Sequence, residues 1–164
     1  MKPFSVKSKF GLWILSKLYK FNKGKYFRRR EIVINPNDNT PLLLKLYYLY
    51  YCKRKEIRFQ SSFGTNLNEG TVFKSPPHLP HGMNGIIVGK GWNIGHDVII
   101  YHQVTIAGGE NGLIGDNVHI GAGAKILPDL KIGNNVKIGA NAVVVEDIPD
   151  NATVVLQKSR IILR

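Results

Sequence analysis

Five histidines carry the side chains best suited to proton transfer near neutral pH. Two of them, His78 and His81, lie in Lys74-Ser75-Pro76-Pro77-His78-Leu79-Pro80-His81-Gly82-Met83-Asn84-Gly85, a stretch rich in Pro and Gly. Either could act as a general base, although a histidine in a loop is more often structural or solvated. Their i, i+3 spacing resembles half a metal site, but no nearby carboxylate completes it, and no metal is expected. His102 follows Tyr101, while His96 and His119 take corner-like and outward positions that usually mean solvent. No Walker motif or glycine-rich phosphate loop is present. Cys52 stands among Tyr50, Tyr51 and Lys53 with no Cys/His pattern around it, and reads as a structural or surface thiol.

What must position these residues is a repeat. Eleven six-residue blocks run through the second half of the chain, opening at Val88, Ile94, Ile100 and Ile106, then at Ile114, Ile120, Ile126, Ile132, Ile138, Val144 and Asp150. Gly is frequent at the second position and an apolar residue at the fifth, from Trp92 and Val98 to Ala142 and Ile148. A strict short period means that each unit buries its apolar edge only by stacking on its neighbours. β-Branched residues with Gly and Asn at the bends describe a short strand and a corner, hence a parallel β-helix. First and fifth positions should fill the core and sixth positions should face out. A sandwich would space its strands by about 8–12 residues instead. Between Ile106 and Ile114 the period lapses, so Ala107-Gly108-Gly109-Glu110-Asn111-Gly112-Leu113 must bulge, and such a break can mark a site.

With 164 residues there is room for one core and a small appendage. The reading is an all-β fold with a small α-helical N-terminal segment, divided at residues 1–58 and 59–164. One cysteine fits a reducing compartment, and no signal peptide or membrane span is legible, so a cytoplasmic protein is expected. The net charge of +12 belongs wholly to residues 1–60, because residues 61–164 carry 8 Lys/Arg and 8 Asp/Glu. A neutral repeat joined to a basic segment suggests two jobs.

In that segment Ser8 could cap a helix over residues 9–20, with Phe10, Trp13, Ile14, Leu18 and Phe21 on one face. Residues 23–30 read as a basic run with aromatics and residues 35–39 as a loop. Thr40-Pro41 opens a second helix that Lys53-Arg54-Lys55 should end. Two uses stay open. The helices cap the end of the solenoid with their charges solvated, or residues 1–40 make peripheral contact with anionic lipid at the inner membrane face. Nucleic acid is not an expected partner, since no recognition helix or RNA-binding motif accompanies the basic run.

From about Phe59 to Ile162 the chain resembles the hexapeptide-repeat acyltransferases, in particular their serine acetyltransferase-like branch. The resemblance rests on Leu79-Pro80-His81-Gly82-Met83-Asn84-Gly85-Ile86-Ile87-Val88, on 114–126 and on 132–144. It implies a left-handed parallel β-helix, a homotrimer, and acetyl-CoA bound in the groove between subunits. It places the general base at His81, which takes the proton of an acceptor hydroxyl as that hydroxyl attacks the thioester. The backbone at Ala107 and Gly108 would hold the oxyanion. Ala122, Gly123, Ala140 and Asn141 match the pantetheine groove, and Lys125, Lys137 and Lys158 are candidate phosphate contacts. His78, Asn84 and His102 are candidates for contact with the acceptor.

The chain also departs from that branch. Pro80 stands where an Asp precedes the catalytic histidine, and the orienting carboxylate is not identified among Gln60, Asn66, Asn68 and Glu69. The Arg-His pair that helps bind serine is absent from Glu110-Asn111-Gly112-Leu113. The large helical N-terminal domain is missing too. Leu156-Gln157-Lys158-Ser159-Arg160 replaces the usual Gly-x-Pro-Ala-Arg at the end of the coil. Without partners for the charges of serine, the expected acceptor is a saccharide hydroxyl, free or lipid-linked, in polysaccharide biosynthesis. The alternatives are L-serine O-acetylation in cysteine biosynthesis and a β-helix scaffold without catalysis.

Overall fold

The computed structural model describes residues 21–156. The expected helix over 9–20 with its Ser8 cap, and the expectations for Lys158 and the stretch after Leu156, lie outside them. Two helices come first, α1 at Lys23–Ile34 and α2 at Leu42–Arg58. Short strands follow: β1 Ser62–Phe63, β2 Thr65–Asn66, β3 Glu69–Gly70, β4 Val72–Phe73, β5 Ile87–Val88, β6 Trp92–Ile94, β7 Ile99–Ile100 and β8 Thr105–Ile106. The series continues with β9 Gly112–Ile114, β10 His119–Ile120, β11 Lys125–Ile126, β12 Lys131–Ile132, β13 Lys137–Ile138, β14 Val143–Val144 and β15 Thr153–Val154.

Apart from the β2–β3 hairpin, these strands stack into three parallel sheets. The first is β1-β5-β8-β11-β14, the second β4-β6-β9-β12, the third β7-β10-β13-β15. Three six-residue blocks make one turn, so Lys125 pairs with Val143 and His119 with Lys137. This is the expected parallel β-helix. The block-opening residues Val88, Ile94, Ile100, Ile106, Ile114, Ile120, Ile126, Ile132, Ile138 and Val144 are all buried. Each buried isoleucine contributes roughly 1.5–3 kcal/mol of transfer free energy. The sixth positions Asn93, Leu113, Lys125, Lys131, Lys137 and Val143 face solvent. At the corner between the second and third sheets, Asn and Asp form ladders: Asn117 Nδ2 donates to Asn135 Oδ1 (2.9 Å), and Asn135 Nδ2 to Asn151 Oδ1 (3.0 Å). Asn117, Asn135 and Asn151 all have positive φ, which Asn tolerates.

The N-terminal segment corrects two expectations. Residues 23–30, read only as a basic run with aromatics, form the first part of α1. Asn22 Oδ1 caps it by accepting from Lys25 N–H (2.8 Å), and Tyr26, Phe27, Arg30, Val33 and Ile34 are buried. The run of cations hides this face because one member, Arg30, belongs to it. The second helix starts at Leu42, with Pro41 at its N-cap, and continues to Arg58, past Lys53-Arg54-Lys55. The cap on the solenoid is also not simply solvated charge. Arg30, 2% exposed, donates to the carbonyls of Phe63 and Thr71 and to Thr65 Oγ1, closing the open end of the first turn. Glu56 accepts from Tyr26 Oη (2.6 Å) and Thr65 Oγ1 (2.8 Å).

Candidate functional site

The three corners of the solenoid carry the polar and small residues. Along the corner between the third and first sheets, here the His edge, segments 79–85, 101–103, 121–123 and 139–141 stack in register. Gln103 N–H donates to Asn84 O (3.0 Å), Gly123 N–H to His102 O (3.0 Å) and Asn141 N–H to Ala122 O (2.8 Å). His81 sits at the top of this column on an exposed loop. Buried Met83 and Ile86 anchor one end of the loop. Gly82, at φ +70°, supplies the left-handed turn that follows the histidine. Asn84 Nδ2 donates to His81 O (3.0 Å) and steadies the loop.

The His81 ring stands edge-on to His102, with centroids 5.1 Å apart and planes at 86°, and 5.9 Å from the Tyr101 ring. His102 Nδ1 is enclosed and, among the described residues, has no hydrogen-bond partner. Such an atom has lost water without recovering a bond, and sites meant for a ligand commonly show one. Beside it lies an open hollow of about 310 Å3 lined by Arg58, Gln60, Asn84, His102 and Gln103 among others. Arg58 comes from the last turn of α2, so the helical cap and the solenoid both shape the hollow.

The opposite corner, between the first and second sheets, holds the break in the repeat. Trp92 fills the fifth position of its block with an indole where most other blocks carry Val, Ala or Leu. Gly112 makes room for it on the next turn: a Cβ there would meet the indole at 2.3 Å. Trp92 Nε1 donates to Ala107 O (2.6 Å). From the turn below, Asp129 Oδ1 accepts Glu110 N–H (2.6 Å) and Asn111 N–H (2.8 Å). These bonds hold the Asp129 carboxyl below its ordinary range, that from Asn111 most. Ala107 N–H donates to Ile126 O and Gly109 N–H to Lys90 O, while among the described residues the N–H of exposed Gly108 between them has no partner. Gly89 lies directly above, where a Cβ would meet Gly108 N at 2.2 Å.

The structure therefore brings His81, Asn84, His102, Ala122, Gly123, Ala140 and Asn141 to one edge. Lys125 lies alongside, with its Nζ donating to Gln103 O (3.2 Å) and Thr105 Oγ1 (3.0 Å). It does not bring Ala107 and Gly108 to them, because the first sheet lies between the two edges. His78 is drawn into the third sheet by its backbone, bridging Ile99, and does not line the hollow. Lys137 is on the outer face of the third sheet near His119. Of the residues considered for orienting His81, Gln60 lines the hollow, Asn68 accepts from Lys45 Nζ (3.1 Å), and Glu69 pairs with Lys90 (2.8 Å). Sequence reasoning missed Arg58 and Asp129, and it placed Trp92 in the core, where it is buried, without its bond to Ala107 O. A tryptophan at a fifth position, with a glycine one turn later, was the legible signal for that contact. Among the described residues no group of three His, Cys, Asp or Glu could hold a metal ion.

A family profile described as "Bacterial transferase hexapeptide (six repeats)" matches residues 111–145. A serine acetyltransferase of Mycobacterium tuberculosis is 39% identical over 105 residues, covering 60% of this chain and 45% of that protein. One from Helicobacter pylori is 38% identical over 107 residues, covering 62% of each. The solved structure of soybean serine acetyltransferase complexed with serine superposes with a TM-score of 0.64 at 27% identity, covering 95% of this chain and 63% of that one. The chain is thus similar to the hexapeptide-repeat transferases, and the relatives and solved structures it resembles are serine acetyltransferases.

The fold of this family is the left-handed parallel β-helix, as expected. The chain spans about half the length of the curated relatives it matches. The saccharide acceptor and the polysaccharide pathway are corrected. The similar proteins and structures are consistently serine acetyltransferases. The saccharide expectation rested on departures from the serine acetyltransferase-like branch, among them the missing Arg-His pair and Pro80 in place of an Asp, and it did not consider Arg58, which lines the hollow.

Proposed function

We propose that the chain is an O-acetyltransferase that moves the acetyl group of acetyl-CoA to the hydroxyl of serine. The observation that carries this reading is the exposed His81 packed edge-on against His102, which with Arg58 lines the adjoining hollow. His81 takes the serine hydroxyl proton as the oxygen attacks the thioester carbonyl. The C–S bond then breaks, and the proton passes to the departing CoA sulfur, giving O-acetylserine and CoA. Arg58 supplies the cation for the serine carboxylate in place of the arginine absent from the 107–113 loop. Edge-on contact with His102 limits the rotation of the His81 ring.

The pantetheine arm runs along the small residues Ala122, Gly123, Ala140 and Asn141, with Lys125 near its phosphates. Ala140 and Asn141 are exposed, and Ala122 and Gly123 are half-buried, which leaves a shallow trough suited to a thin chain. The Gly108 N–H faces the developing oxyanion. Because Gly108 and His81 occupy different edges of one chain, the site is completed across an interface between copies. A trimer with three such clefts is the assembly proposed.

The test is CoA release with serine, and with sugars as controls. His81→Ala should lower turnover by roughly 10²–10⁴-fold, and Arg58→Gln should raise KM for serine more than it lowers kcat. Release with sugars but not with serine would refute the acceptor. An unchanged His81→Ala protein would refute the base.

A further inference from the structure

Helix α2 is turned inside out for a helix in water. It buries Lys45, Cys52 and Glu56. It exposes Leu43 (83%), Ile57 (77%), Tyr50 (60%), Tyr47 (54%) and Leu46 (42%). Their spacing puts them on one face with Arg54, a stripe about 20 Å long at 1.5 Å per residue. Along its flank, Lys25, Arg28 and Arg29 of α1 join Tyr48 around an open hollow of about 530 Å3 that no carboxylate lines. The Arg29 guanidinium is held there over the rings of Tyr48 (4.8 Å) and Tyr51 (4.4 Å). Of the acidic residues in 21–58, Glu56 is buried and bonded, Asp38 accepts Thr40 N–H in the loop, and Glu31 lies on the far side of α1 near Phe73 and Lys74.

We infer that this face docks on an anionic lipid surface, with the α2 stripe set into the headgroup boundary and Lys25, Arg28 and Arg29 on the lipid phosphates. Charge decides between the candidate occupants. A second copy related by a two-fold axis would bring Arg54 and the cations of α1 against their own equivalents. Residues 1–20 carry five lysines and no acid, so they too would set positive charge on positive. An anionic bilayer supplies both the apolar layer and the countercharge. Among the described residues no helix is long and apolar enough to cross a membrane, which suits a helix lying flat. The contact keeps Lys25, Arg28 and Arg29 of the expected stretch 1–40 and extends it to α2, beyond residue 40.

Co-sedimentation of the full chain tests this, using phosphatidylcholine vesicles with and without phosphatidylglycerol. Binding should require the anionic lipid and weaken with salt. Leu43→Glu/Tyr50→Glu/Ile57→Glu should abolish it while leaving circular dichroism and CoA release in solution unchanged. Arg28→Gln/Arg54→Gln should weaken it roughly tenfold or more. An environment-sensitive dye on Leu43→Cys should report water in the free protein and an apolar setting with anionic vesicles. Equal sedimentation of the triple variant, absence of lipid dependence, or a dye already buried without vesicles would overturn the proposal. The last result would assign the face to residues 1–20 or to a second copy, which the solution mass would separate.

Discussion

The solenoid and its helical cap solve the burial problem in opposite ways. In the solenoid, one rule repeats: an isoleucine or valine opens the block and enters the core, and a polar corner turns the chain outward. In the cap, a guanidinium, an ammonium and a carboxylate are buried along with Tyr26, Phe27 and Val33, and Leu43, Leu46, Tyr47 and Tyr50 of α2 face out. Arg30 takes backbone carbonyls of the first turn, Lys45 Nζ donates to Asn35 O (2.8 Å), and Glu56 gathers two hydroxyls. A stack of identical turns satisfies its backbone by adding the next turn, whereas its open end must be closed by something with many donors. Arginine, with its fixed fork of donors, suits that end. The difference teaches that periodic stacking stabilises the middle of the solenoid and that specific polar bonds close its beginning.

The largest expected effect breaks the cap and spares the stack. Arg30→Met removes every bond to the carbonyls of Phe63 and Thr71 and leaves Glu56 buried with less countercharge. The cost should be about 3–5 kcal/mol, that of leaving buried polar groups unpaired. Cys52 offers a local readout. Burial pushes its thiol up to about 12, so it should be inert to alkylation in the native protein at neutral pH. In Arg30→Met, labelling of Cys52 should begin at lower denaturant than loss of the β signal in circular dichroism. Coincident transitions would show that cap and solenoid are one cooperative unit.

The next effect falls on the break in the repeat. Gly112→Ala would force a methyl into the Trp92 indole and should cost about 1–3 kcal/mol by overpacking. Trp92→Phe should partly restore stability in the Gly112→Ala background, although alone it loses the bond to Ala107 O. A double variant no more stable than the sum of the two would mean that the bulge is held by other contacts, a comparison read directly from urea midpoints.

Legibility in the sequence followed the same divide. The period of six, the inward first and fifth positions and the bulge after Ile106 were readable because every block obeys one stacking rule. His81 was singled out by its resemblance to the family motif that runs into Gly-Ile-Ile-Val, and Ala122, Gly123, Ala140 and Asn141 by the same resemblance. α1 was missed because its core face includes Arg30, and a charge at a core position defeats a pattern based on hydropathy. Arg58 was missed for another reason: nothing local says that the end of α2 reaches a hollow beside residues 102–103. Contacts between segments far apart in sequence leave no period to read. The saccharide reading weighed absences in local segments, and it was overturned by the similarity to serine acetyltransferases, which no local segment displays.

A smaller effect sharpens the contrast from the solenoid side. Ile120→Val, in the middle of the stack, should cost only about 0.5–1.5 kcal/mol, because one methyl is lost and the adjacent turns relax around it. Urea denaturation should then show the β signal weakened while Cys52 protection stays close to wild type. If Cys52 becomes exposed as readily as in Arg30→Met, the two regions are not energetically distinct.

The smallest effect is confined to pH. The Asp129 carboxyl is held below its ordinary range by the Asn111 and Glu110 N–H groups, so its folded pKa lies under the unfolded value of about 3.9. A depressed acid contributes stability above its unfolded pKa and loses it as pH falls through the folded value. The clamp on the bulge should therefore be constant from neutral pH down to about 5 and fade below about 4. In Asp129→Asn the amide oxygen can still accept both N–H bonds but without charge, so protection of Glu110 and Asn111 against hydrogen exchange should be modestly lower at neutral pH. The two proteins should converge in acid. Divergence that grows as pH falls would reverse the sign and show that the clamp works through the neutral acid, with the Gly108 N–H then positioned by backbone stacking on Gly89 alone.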